Sequence, residues 1–378
     1  MDQVDKVLTR GVEKILPNKE GLEKLMRKRK IRVYLGVDPT GINLHLGHTI
    51  PLRKLAEFAD LGHEAILLIG TGTILAGDPS QRENTRPKIT QKEIEKNMAT
   101  WQDQAKKVID LSKVQIRYNG DWLLKLNLAD IINIASKISA TQLFKREMFQ
   151  KRLNQGDTVW YHETFYPLLQ GYDSVVMDVD LEIGGTDQTF NMLIGRQLQK
   201  KMKNREKYVL STPLILGIDG KPMSKTSNNC IWLTDTASEM FGKLMSINDP
   251  QIEPYWKLLT SLSEEDIKKY KPMDAKKMLA FEIVKIYHGA TAAQKAKKEF
   301  EKVVQKGEIP KDLNIRIKEN ISLVEAVKTL VHSKSQAKRL LDQGAVEIDG
   351  KVEKDSKIKV KEGQVLKVGK RTFAKVEK

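Results

Sequence analysis

Two histidines three positions apart, His45 and His48, are the residues whose type and spacing first suggest chemistry. They follow an extended apolar segment, residues 31–37, and a turn, and they open a segment of helical character at residues 47–61. The N–H groups at a helix N-terminus attract anions, and an imidazole can donate to a phosphate oxygen. Gly47, between the two, would let a nucleotide approach the backbone. Two ordinary histidines at a helix start are the alternative, but the strand–turn–helix context favours a nucleotide phosphate site.

A loop rich in lysine, serine and glycine is the second candidate. Its sequence is Asp219-Gly220-Lys221-Pro222-Met223-Ser224-Lys225-Thr226-Ser227-Asn228. Such a loop can fold over phosphates, and its lysine can supply positive charge to a developing oxyanion. A solvated surface turn is the alternative. The loop lies near residue 232, where the composition of the chain changes, and a mobile loop there could close over the pocket of the histidines.

Two further segments carry polar side chains of the kind that bind a small molecule. Tyr166, Gln170 and Asp173 are spaced so that one face of a helix would carry all three. This stripe suits a pocket for an ammonium group and an amide, and a solvent-facing helix surface is the alternative. In the segment 184–188, paired glycines permit close approach to the backbone, and Asp187 could accept from ribose hydroxyls. The alternative role of Asp187 is to cap the following helix.

These residues need a scaffold in which strands and helices alternate. The predicted strands are 31–37, 65–70, 114–118 and 175–179, and the predicted helical segments are 47–61, 91–111 and 128–152. This alternation predicts an α/β fold, a Rossmann-like doubly wound parallel sheet whose ligands bind beyond the carboxyl ends of the strands. The histidine pair follows the first predicted strand, where that rule expects a site.

Composition limits the class of protein. The chain has 378 residues, enough for two or three domains, and 65 Lys and Arg against 49 Asp and Glu give a net charge of +16. Such a surplus of positive charge favours binding to a polyanionic partner. The alternative is that the charge only keeps the protein soluble. The single cysteine, Cys230, excludes an intramolecular disulfide and fits a reducing compartment. We expect a cytoplasmic protein, because neither a signal peptide nor a membrane-spanning apolar run is apparent.

Beyond about residue 232 the chain becomes helical and lysine-rich, until Pro310 marks a linker. A compact segment then follows. Its predicted helices are 322–330 and 335–343, and its predicted β-runs are 345–348, 358–360 and 365–368. The expected domains are 1–232, an α/β domain with the loop 221–226 at its end; 233–313, an α-helical domain; and 314–378, the linker with a small α+β domain.

The first candidate segment, residues 45–48, resembles the first signature of the class I aminoacyl-tRNA synthetases, and residues 222–226 resemble their second, lysine–serine signature. The surrounding sequence resembles the bacterial tyrosyl-tRNA synthetases in particular. The segments that carry this resemblance are 34–40 (YLGVDPT), 77–80 (GDPS), 168–173 (LLQGYD) and 184–188 (GGTDQ). Residues 321–371 resemble the RNA-binding domain named for ribosomal small-subunit protein four. The resemblance therefore covers essentially the whole chain.

The resemblance implies that tyrosine is activated with ATP to tyrosyl-adenylate, with loss of pyrophosphate, and then transferred to a tRNA. It assigns a catalytic role to His45, His48, Thr40 and Lys225, with Thr40 at the γ-phosphate and Lys225 at the departing pyrophosphate. It assigns ATP binding to Asp38, Gly47, Gly185, Asp187, Lys221, Lys225, Arg82 and Arg86. It assigns the substrate phenol hydroxyl to Tyr34 and Asp173, the ammonium to Asp78, Tyr166 and Gln170, and the carboxylate to Gln188.

The implied partners are tRNA(Tyr) and a second copy of the chain in a homodimer. The candidate RNA-binding residues are Lys334, Lys338 and Arg339. Mg²⁺ is expected with ATP, and no protein ligand for a metal is predicted. Two positions depart from the family pattern: Pro222 replaces the first lysine of the second signature, one residue after Lys221, and Gln81 replaces a glycine. The alternatives are a tryptophanyl-tRNA synthetase and a non-catalytic RNA-binding protein on a synthetase scaffold.

Overall fold

The structure is a computed structural model. It describes residues 2–80, 90–223, 227–305, 315–331, 333–369 and 372–378. Three predicted site residues, Lys225, Arg82 and Arg86, lie outside the described residues, as does most of the predicted linker. The chain forms two compact units, one of residues 1–236 and 243–287 and the other of residues 237–242 and 288–378. The division into three domains stays a prediction.

The described residues of the first unit form a six-stranded sheet. Its strands are β1 (Lys14–Leu16), β2 (Arg32–Val37), β3 (Glu64–Ile69), β4 (Val114–Tyr118), β5 (Leu181–Gly185) and β6 (Tyr208–Thr212). Their order is β1-β6-β5-β2-β3-β4, with β1 antiparallel to β6 and the other neighbours parallel. The chain builds outward from β2 through β3 to β4 and returns to the other side with β5 and β6. The order therefore reverses between β2 and β5, which is where such sheets bind ligands.

Helices connect these strands and continue beyond them. The helices up to β6 are α1 (Gln3–Val7), α2 (Lys19–Lys28), α3 (Leu46–Asp60), α4 (Gln91–Met98), α5 (Trp101–Ala105), α6 (Gly120–Leu123), α7 (Leu128–Ala135), α8 (Ala140–Phe144), α9 (Glu147–Asn154), α10 (Phe165–Met177) and α11 (Thr189–Lys203). Those that follow are α12 (Ala237–Met245), α13 (Ile252–Leu259), α14 (Glu264–Ile267), α15 (Pro272–His288) and α16 (Ala290–Phe300). Short 3-10 turns lie at Thr73–Leu75, Tyr161–Thr164, Thr186–Gln188 and Asp249–Gln251, and a π-helical turn lies at Glu301–Gln305. No described helix is long and apolar enough to cross a membrane.

The predicted strand at 175–179 is wrong, because these residues form the end of α10 and the turn after it. The helix ends at Asp178, which adopts the left-handed conformation. Val175 is buried with Leu168 in an apolar cluster that α10 shares with α11. Burial of this helix face outweighs the preference of the valines for strands. The strand of this region is β5, which begins at Leu181.

The predicted helix at 91–111 is interrupted between α4 and α5 and ends at Ala105. At the break, Trp101 Nε1 donates to the carbonyl of Gly41 at 2.7 Å, and Thr100 Oγ1 donates to the carbonyl of Ile42 at 3.2 Å. These bonds tie the break to the loop that precedes α3. The spacing of apolar residues along the sequence carries no information about such contacts. The predicted segment 128–152 is likewise three short helices, α7 to α9.

The second unit carries a small α+β fold in its described residues. Its five-stranded sheet consists of β7 (Arg316–Lys318), β8 (Val346–Ile348), β9 (Lys351–Val352), β10 (Val365–Val368) and β11 (Thr372–Glu377), in the order β7-β11-β10-β8-β9. Its two helices are α17 (Leu323–Val331) and α18 (Lys334–Asp342). The predicted β-run 358–360 forms only an isolated bridge between Lys359 and Ser322 in the described chain. Its apolar pattern reflects burial, since Val360 lies in the core with Leu323 and Leu366.

Candidate active site

A cavity of about 210 Å³ lies at the carboxyl ends of β2 and β5, the point where the strand order reverses. The predicted residues that line it are Tyr34, Asp38, Thr40, His48, Asp78, Tyr166, Gln170, Asp173, Asp187 and Gln188. They come from β2, from the loops after β2 and β3, from the start of α3, from α10 and from the turn after β5. The fold therefore brings the predicted nucleotide residues and the predicted amino-acid residues to one place.

The histidine pair begins helix α3, with His45 at the N-cap. The preceding loop is fixed from outside, because Leu46 N donates to the carbonyl of Ile231 at 2.9 Å and Leu233 N donates to that of Leu44 at 2.8 Å. The two imidazole rings are in contact, with centroids 3.8 Å apart and planes tilted by 36°. The pair is thus held as a unit between α3 and the segment that follows the second signature.

Both histidines are neutral at pH 7. Burial lowers the pKa of His48 to about 4, and burial together with neighbouring His48 holds the pKa of His45 well below its usual range. His48 Nδ1 accepts the backbone N–H of His45 at 3.1 Å, which places the proton of His48 on Nε2. His45 Nδ1 is buried with no hydrogen-bond partner in the described part of the chain. The pair can therefore donate hydrogen bonds to an anion without carrying charge.

Gly47 and the start of the second signature lie against this pair. A Cβ atom at Gly47 would lie only 3.0 Å from the ring of His45 and 3.7 Å from Met223 Sδ. The base of the signature loop is pinned by Asn229, whose Nδ2 donates to the carbonyl of Pro222 at 3.0 Å. The two signatures thus meet, although Lys225 is outside the described residues. Lys221 is exposed and is not among the residues that line the cavity.

One end of the cavity suits a hydroxyl group. Both oxygens of buried Asp173 are held, Oδ2 by Asn119 Nδ2 at 3.0 Å and Oδ1 by Trp122 Nε1 at 2.8 Å. Burial raises the pKa of Asp173, and these two donors oppose the shift. A carboxylate has about four lone-pair sites, so Asp173 can still accept from a ligand. Tyr34 is fully buried beside it, and its hydroxyl pairs with Ser174 Oγ at 2.9 Å.

A second cluster of oxygens suits an ammonium group. Asp78 Oδ1 accepts from the backbone N–H and the hydroxyl of Ser80, at 2.9 and 2.7 Å. Its other oxygen accepts from Gln188 Nε2 at 2.8 Å, while Gln188 Oε1 accepts from Asn191 Nδ2 at 2.9 Å. Arg146, 6 % exposed, lies 3.8 Å from the same carboxylate. The orientation of the Gln188 amide is therefore set by its neighbours.

The remaining predicted nucleotide residues follow β2 and β5. Asp38 accepts from Thr73 Oγ1 at 2.8 Å, and the backbone N–H of Thr40 donates to the Asp38 carbonyl at 2.8 Å. A Cβ atom at Gly185 would lie 2.4 Å from Asp187 Oδ1, so a side chain here would displace the Asp187 carboxylate. Burial raises the pKa of Asp187, to which the nearby charge of Asp78 adds.

Several residues that form hydrogen bonds or ion pairs with the site side chains lie outside the motifs that the sequence revealed. These are Asn119, Trp122, Ser174, Glu182 and Lys207. For Asn119 a signal existed, because it directly follows the correctly predicted strand 114–118. The others belong to no recognisable motif, and only the fold brings them to the side chains that line the cavity.

The candidate RNA-binding residues lie together in the second unit. Lys334, Lys338 and Arg339 are exposed on α18. Lys334 Nζ lies 3.4 Å from Glu325 Oε1, so part of its charge is balanced locally. The exposed side chains of α18 form a basic surface.

Comparison with known proteins identifies the family. The chain matches the model of the class I tRNA synthetases for tryptophan and tyrosine over residues 26–305, and the model of the S4 domain over residues 323–366. The tyrosine–tRNA ligase of Thermotoga maritima is 43 % identical over 98 % of this chain and 96 % of the relative. The chain belongs to the class I tyrosyl-tRNA synthetases. The tyrosine–tRNA ligase of Shewanella oneidensis, 42 % identical over 100 % of this chain and 98 % of its own length, agrees.

Solved tyrosyl-tRNA synthetases share the fold. The truncated mitochondrial enzyme of Aspergillus nidulans superposes with a TM-score of 0.67 at 22 % identity, covering 79 % of this chain and 93 % of its own. The enzyme of Archaeoglobus fulgidus, solved with L-tyrosine, gives 0.64 at 20 % identity and covers 78 % and 100 %. Membership of the tyrosyl-tRNA synthetases makes ATP and tRNA substrates of this family member, and the S4 match agrees with RNA binding.

Proposed function

We propose that the cavity between β2 and β5 activates L-tyrosine with ATP and that the tyrosyl group is then transferred to the 3′ end of tRNA(Tyr). The observation that carries this proposal is that one cavity is lined by a hydroxyl-binding end, at Asp173, and by His48, whose ring contacts the second neutral imidazole, His45. A hydroxyl-binding end suits the phenol of tyrosine, and the imidazole pair suits the phosphates of ATP.

The first step needs no protein nucleophile. A carboxylate oxygen of tyrosine forms a bond to the α-phosphorus of ATP, while the bond from that phosphorus to the bridging oxygen breaks and pyrophosphate leaves. The substrate carboxylate is already an anion, so no base is required. The protein positions the two substrates and stabilises charge on the phosphate oxygens. His45 and His48 would donate to these oxygens, Thr40 would assist at the γ-phosphate, and Lys225 would neutralise the leaving pyrophosphate.

The same groups account for selection of the amino acid. Asp173 and Tyr34 would bind the phenol hydroxyl, so phenylalanine would leave buried polar atoms unpaired, which is costly. Asp78, Tyr166 and Gln170 would receive the ammonium group, and Gln188 would lie near the reacting carboxylate. The segment from Asp38 and the turn at Gly185 and Asp187 would follow the adenosine and its ribose. Arg82, Arg86 and Lys221 remain proposed phosphate contacts.

Mg²⁺ is expected to enter with ATP, because it prefers substrate phosphates and water to an all-protein cage. The described ranges contain no group of three or more His, Cys, Asp or Glu that could hold a metal ion. Bound there, Mg²⁺ would neutralise phosphate charge, and the protein groups named above would position the phosphates.

Tyrosine-dependent exchange of pyrophosphate into ATP tests the reaction. We expect exchange with L-tyrosine and little with L-tryptophan or L-phenylalanine. Exchange with tryptophan alone would identify a tryptophanyl-tRNA synthetase, and no exchange with any amino acid would favour a non-catalytic RNA-binding protein. Charging of tRNA(Tyr) by the same preparation tests the second step.

The assembly is proposed to be a homodimer that acts in the cytoplasm. Leu128 and Ile132 lie one turn apart on α7 and are 73 % and 59 % exposed. Leu124, shortly before this helix, is 62 % exposed. Large apolar side chains clustered on a surface favour a protein interface. Sedimentation should therefore give twice the chain mass, and a Leu128→Glu, Ile132→Glu double variant should be monomeric.

The single cysteine, Cys230, fits a reducing compartment.

A further inference from the structure

A fully buried ion pair lies beside the amino-acid cavity. Lys207, immediately before β6, is 0 % exposed, and its ammonium contacts the carboxylate of Glu182 on β5, whose side chain is 2 % exposed. Lys207 Nζ also donates to Ser174 Oγ at 2.8 Å and lies 5.9 Å from the centroid of the Tyr34 ring. Buried ion pairs are a weak source of stability, because both charges must leave water. The pair therefore calls for a function other than stability.

The backbone makes room for this ammonium. A Cβ atom at Gly195 of α11 would lie 2.6 Å from Lys207 Nζ and 3.1 Å from Ser174 Oγ. A Cβ atom at Gly171 of α10 would lie 3.0 Å from Gly195 Cα, so the two helices approach closely at their glycines. Glycine at 195 leaves the space that the lysine head group fills.

A hydrogen bond to Gln170 connects the Glu182–Lys207 pair to the cavity. Glu182 Oε2 faces Lys207, and Glu182 Oε1 accepts from Gln170 Nε2 at 3.0 Å. An ionised carboxylate only accepts hydrogen bonds, so it selects the NH₂ side of the amide and turns the carbonyl oxygen the other way. That oxygen, Gln170 Oε1, is buried and has no partner in the part of the chain that the structure describes. An ammonium group has donors only and would satisfy it.

We infer that Glu182 and Lys207 are positioning residues for tyrosine: Lys207 holds one carboxylate oxygen of Glu182, and the other orients Gln170 so that its carbonyl oxygen receives the substrate ammonium. This inference rests on the proposed tyrosine site and adds a specificity element to it. Burial lowers the pKa of Lys207, and the charge of Glu182 opposes that shift. The Glu182 carboxylate thus favours the cationic form of the lysine that it contacts.

The test compares ligands with and without an ammonium group. In a Glu182→Gln variant the new amide can donate to Gln170 Oε1 and turn its NH₂ toward the cavity. We expect the Kd of L-tyrosine to rise roughly ten- to hundred-fold, the loss of one hydrogen bond to a charged group. The Kd of 3-(4-hydroxyphenyl)propanoate, which lacks the ammonium, should change less than threefold. Calorimetric titration of the full chain measures both.

Two further variants separate positioning from stability. The double variant Glu182→Gln, Lys207→Met removes both charges, so its unfolding midpoint should recover relative to Glu182→Gln while its Kd for L-tyrosine stays raised. The matched control is Glu163→Gln, which breaks another buried pair, with Arg152 at 2.8 Å, neither member of which lines the cavity. It should lower stability and leave both Kd values unchanged.

The inference is overturned if the double variant binds L-tyrosine like the wild type, since Glu182 would then serve only to neutralise Lys207. It is also overturned if both ligands weaken equally in Glu182→Gln, which would indicate general damage to the pocket. These are binding measurements. A wild type that binds tyrosine but catalyses no exchange would refute the proposed reaction and leave the positioning result standing.

Discussion

Removing the Tyr34 hydroxyl should narrow the preference for tyrosine over phenylalanine only modestly. In the structure this hydroxyl pairs with Ser174 Oγ at 2.9 Å, and Ser174 also receives a hydrogen bond from Lys207 at 2.8 Å. A Tyr34→Phe variant therefore leaves Ser174 with a partner. One neutral hydrogen bond contributes about 0.5–1.5 kcal/mol, so the ratio of kcat/KM values should fall roughly two- to thirteen-fold.

Asp173 should matter more, because it is a charged acceptor at the centre of a network. Asn119 and Trp122 each donate to one of its oxygens, at 3.0 and 2.8 Å. In Asp173→Asn the single amide oxygen can satisfy only one of these donors, and the NH₂ group faces the other. A hydrogen bond to a charged group contributes about 1.5–3 kcal/mol, so the tyrosine preference should fall roughly ten- to 150-fold.

The assay is pyrophosphate exchange with each amino acid over a range of concentrations, which gives kcat/KM for tyrosine and for phenylalanine. Tyr172→Phe is the matched control: Tyr172 lies on the same helix, packs in the apolar cluster between α10 and α11, and does not line the cavity. Its selectivity should equal that of the wild type. A larger loss in Tyr34→Phe than in Asp173→Asn, or no loss in either, would contradict the assignment of the phenol-binding end.

Three other predictions concern the phosphates, the histidine charge state and RNA. His45→Ala should slow adenylate formation by roughly 2.7–4 kcal/mol, like removal of an oxyanion donor, with little change in tyrosine binding; near-normal exchange rates would exclude that role. The pKa of His48 is lowered from 6.5 to about 4, so the unfolded chain binds more protons in that range and stability falls as pH drops from 6.5 toward 4. The loss is at most about 3.4 kcal/mol, less because His48 is partly exposed. Urea denaturation should show it as a stability difference between the wild type and His48→Gln that is constant above pH 6.5 and shifts against the wild type below it. Replacing Lys334, Lys338 and Arg339 by alanine should weaken tRNA binding and leave tyrosine activation unchanged. The slope of the logarithm of the tRNA binding constant against the logarithm of the salt concentration should become shallower by roughly one unit per lost phosphate contact. An unaltered slope would mean that α18 is not an RNA-binding surface.

The sequence by itself determined the fold class, and it predicted a site whose candidate residues line one cavity of the structure. Strand and helix patterns are local, and a parallel sheet puts the ends of its strands at one edge, so motifs after β2 and β5 had to converge. The helical spacing of Tyr166, Gln170 and Asp173 likewise placed them on one face. These inferences needed only short-range periodicity and the handedness rules of α/β folds.

Tertiary structure decided what depends on contacts between distant segments. Val175 belongs to a helix because it is buried against α11, and the local preference of valine for strands carries no information about that burial. Lys207 and Glu182 lie 25 residues apart in the sequence, and only the parallel pairing of β5 with β6, together with the space left at Gly195, makes them partners. The tautomer of His48 and the orientation of Gln170 are set in the same way, by the neighbour that each hydrogen-bonds. A sequence specifies which groups are present, and the low-dielectric packing between distant segments determines their charge, direction and use.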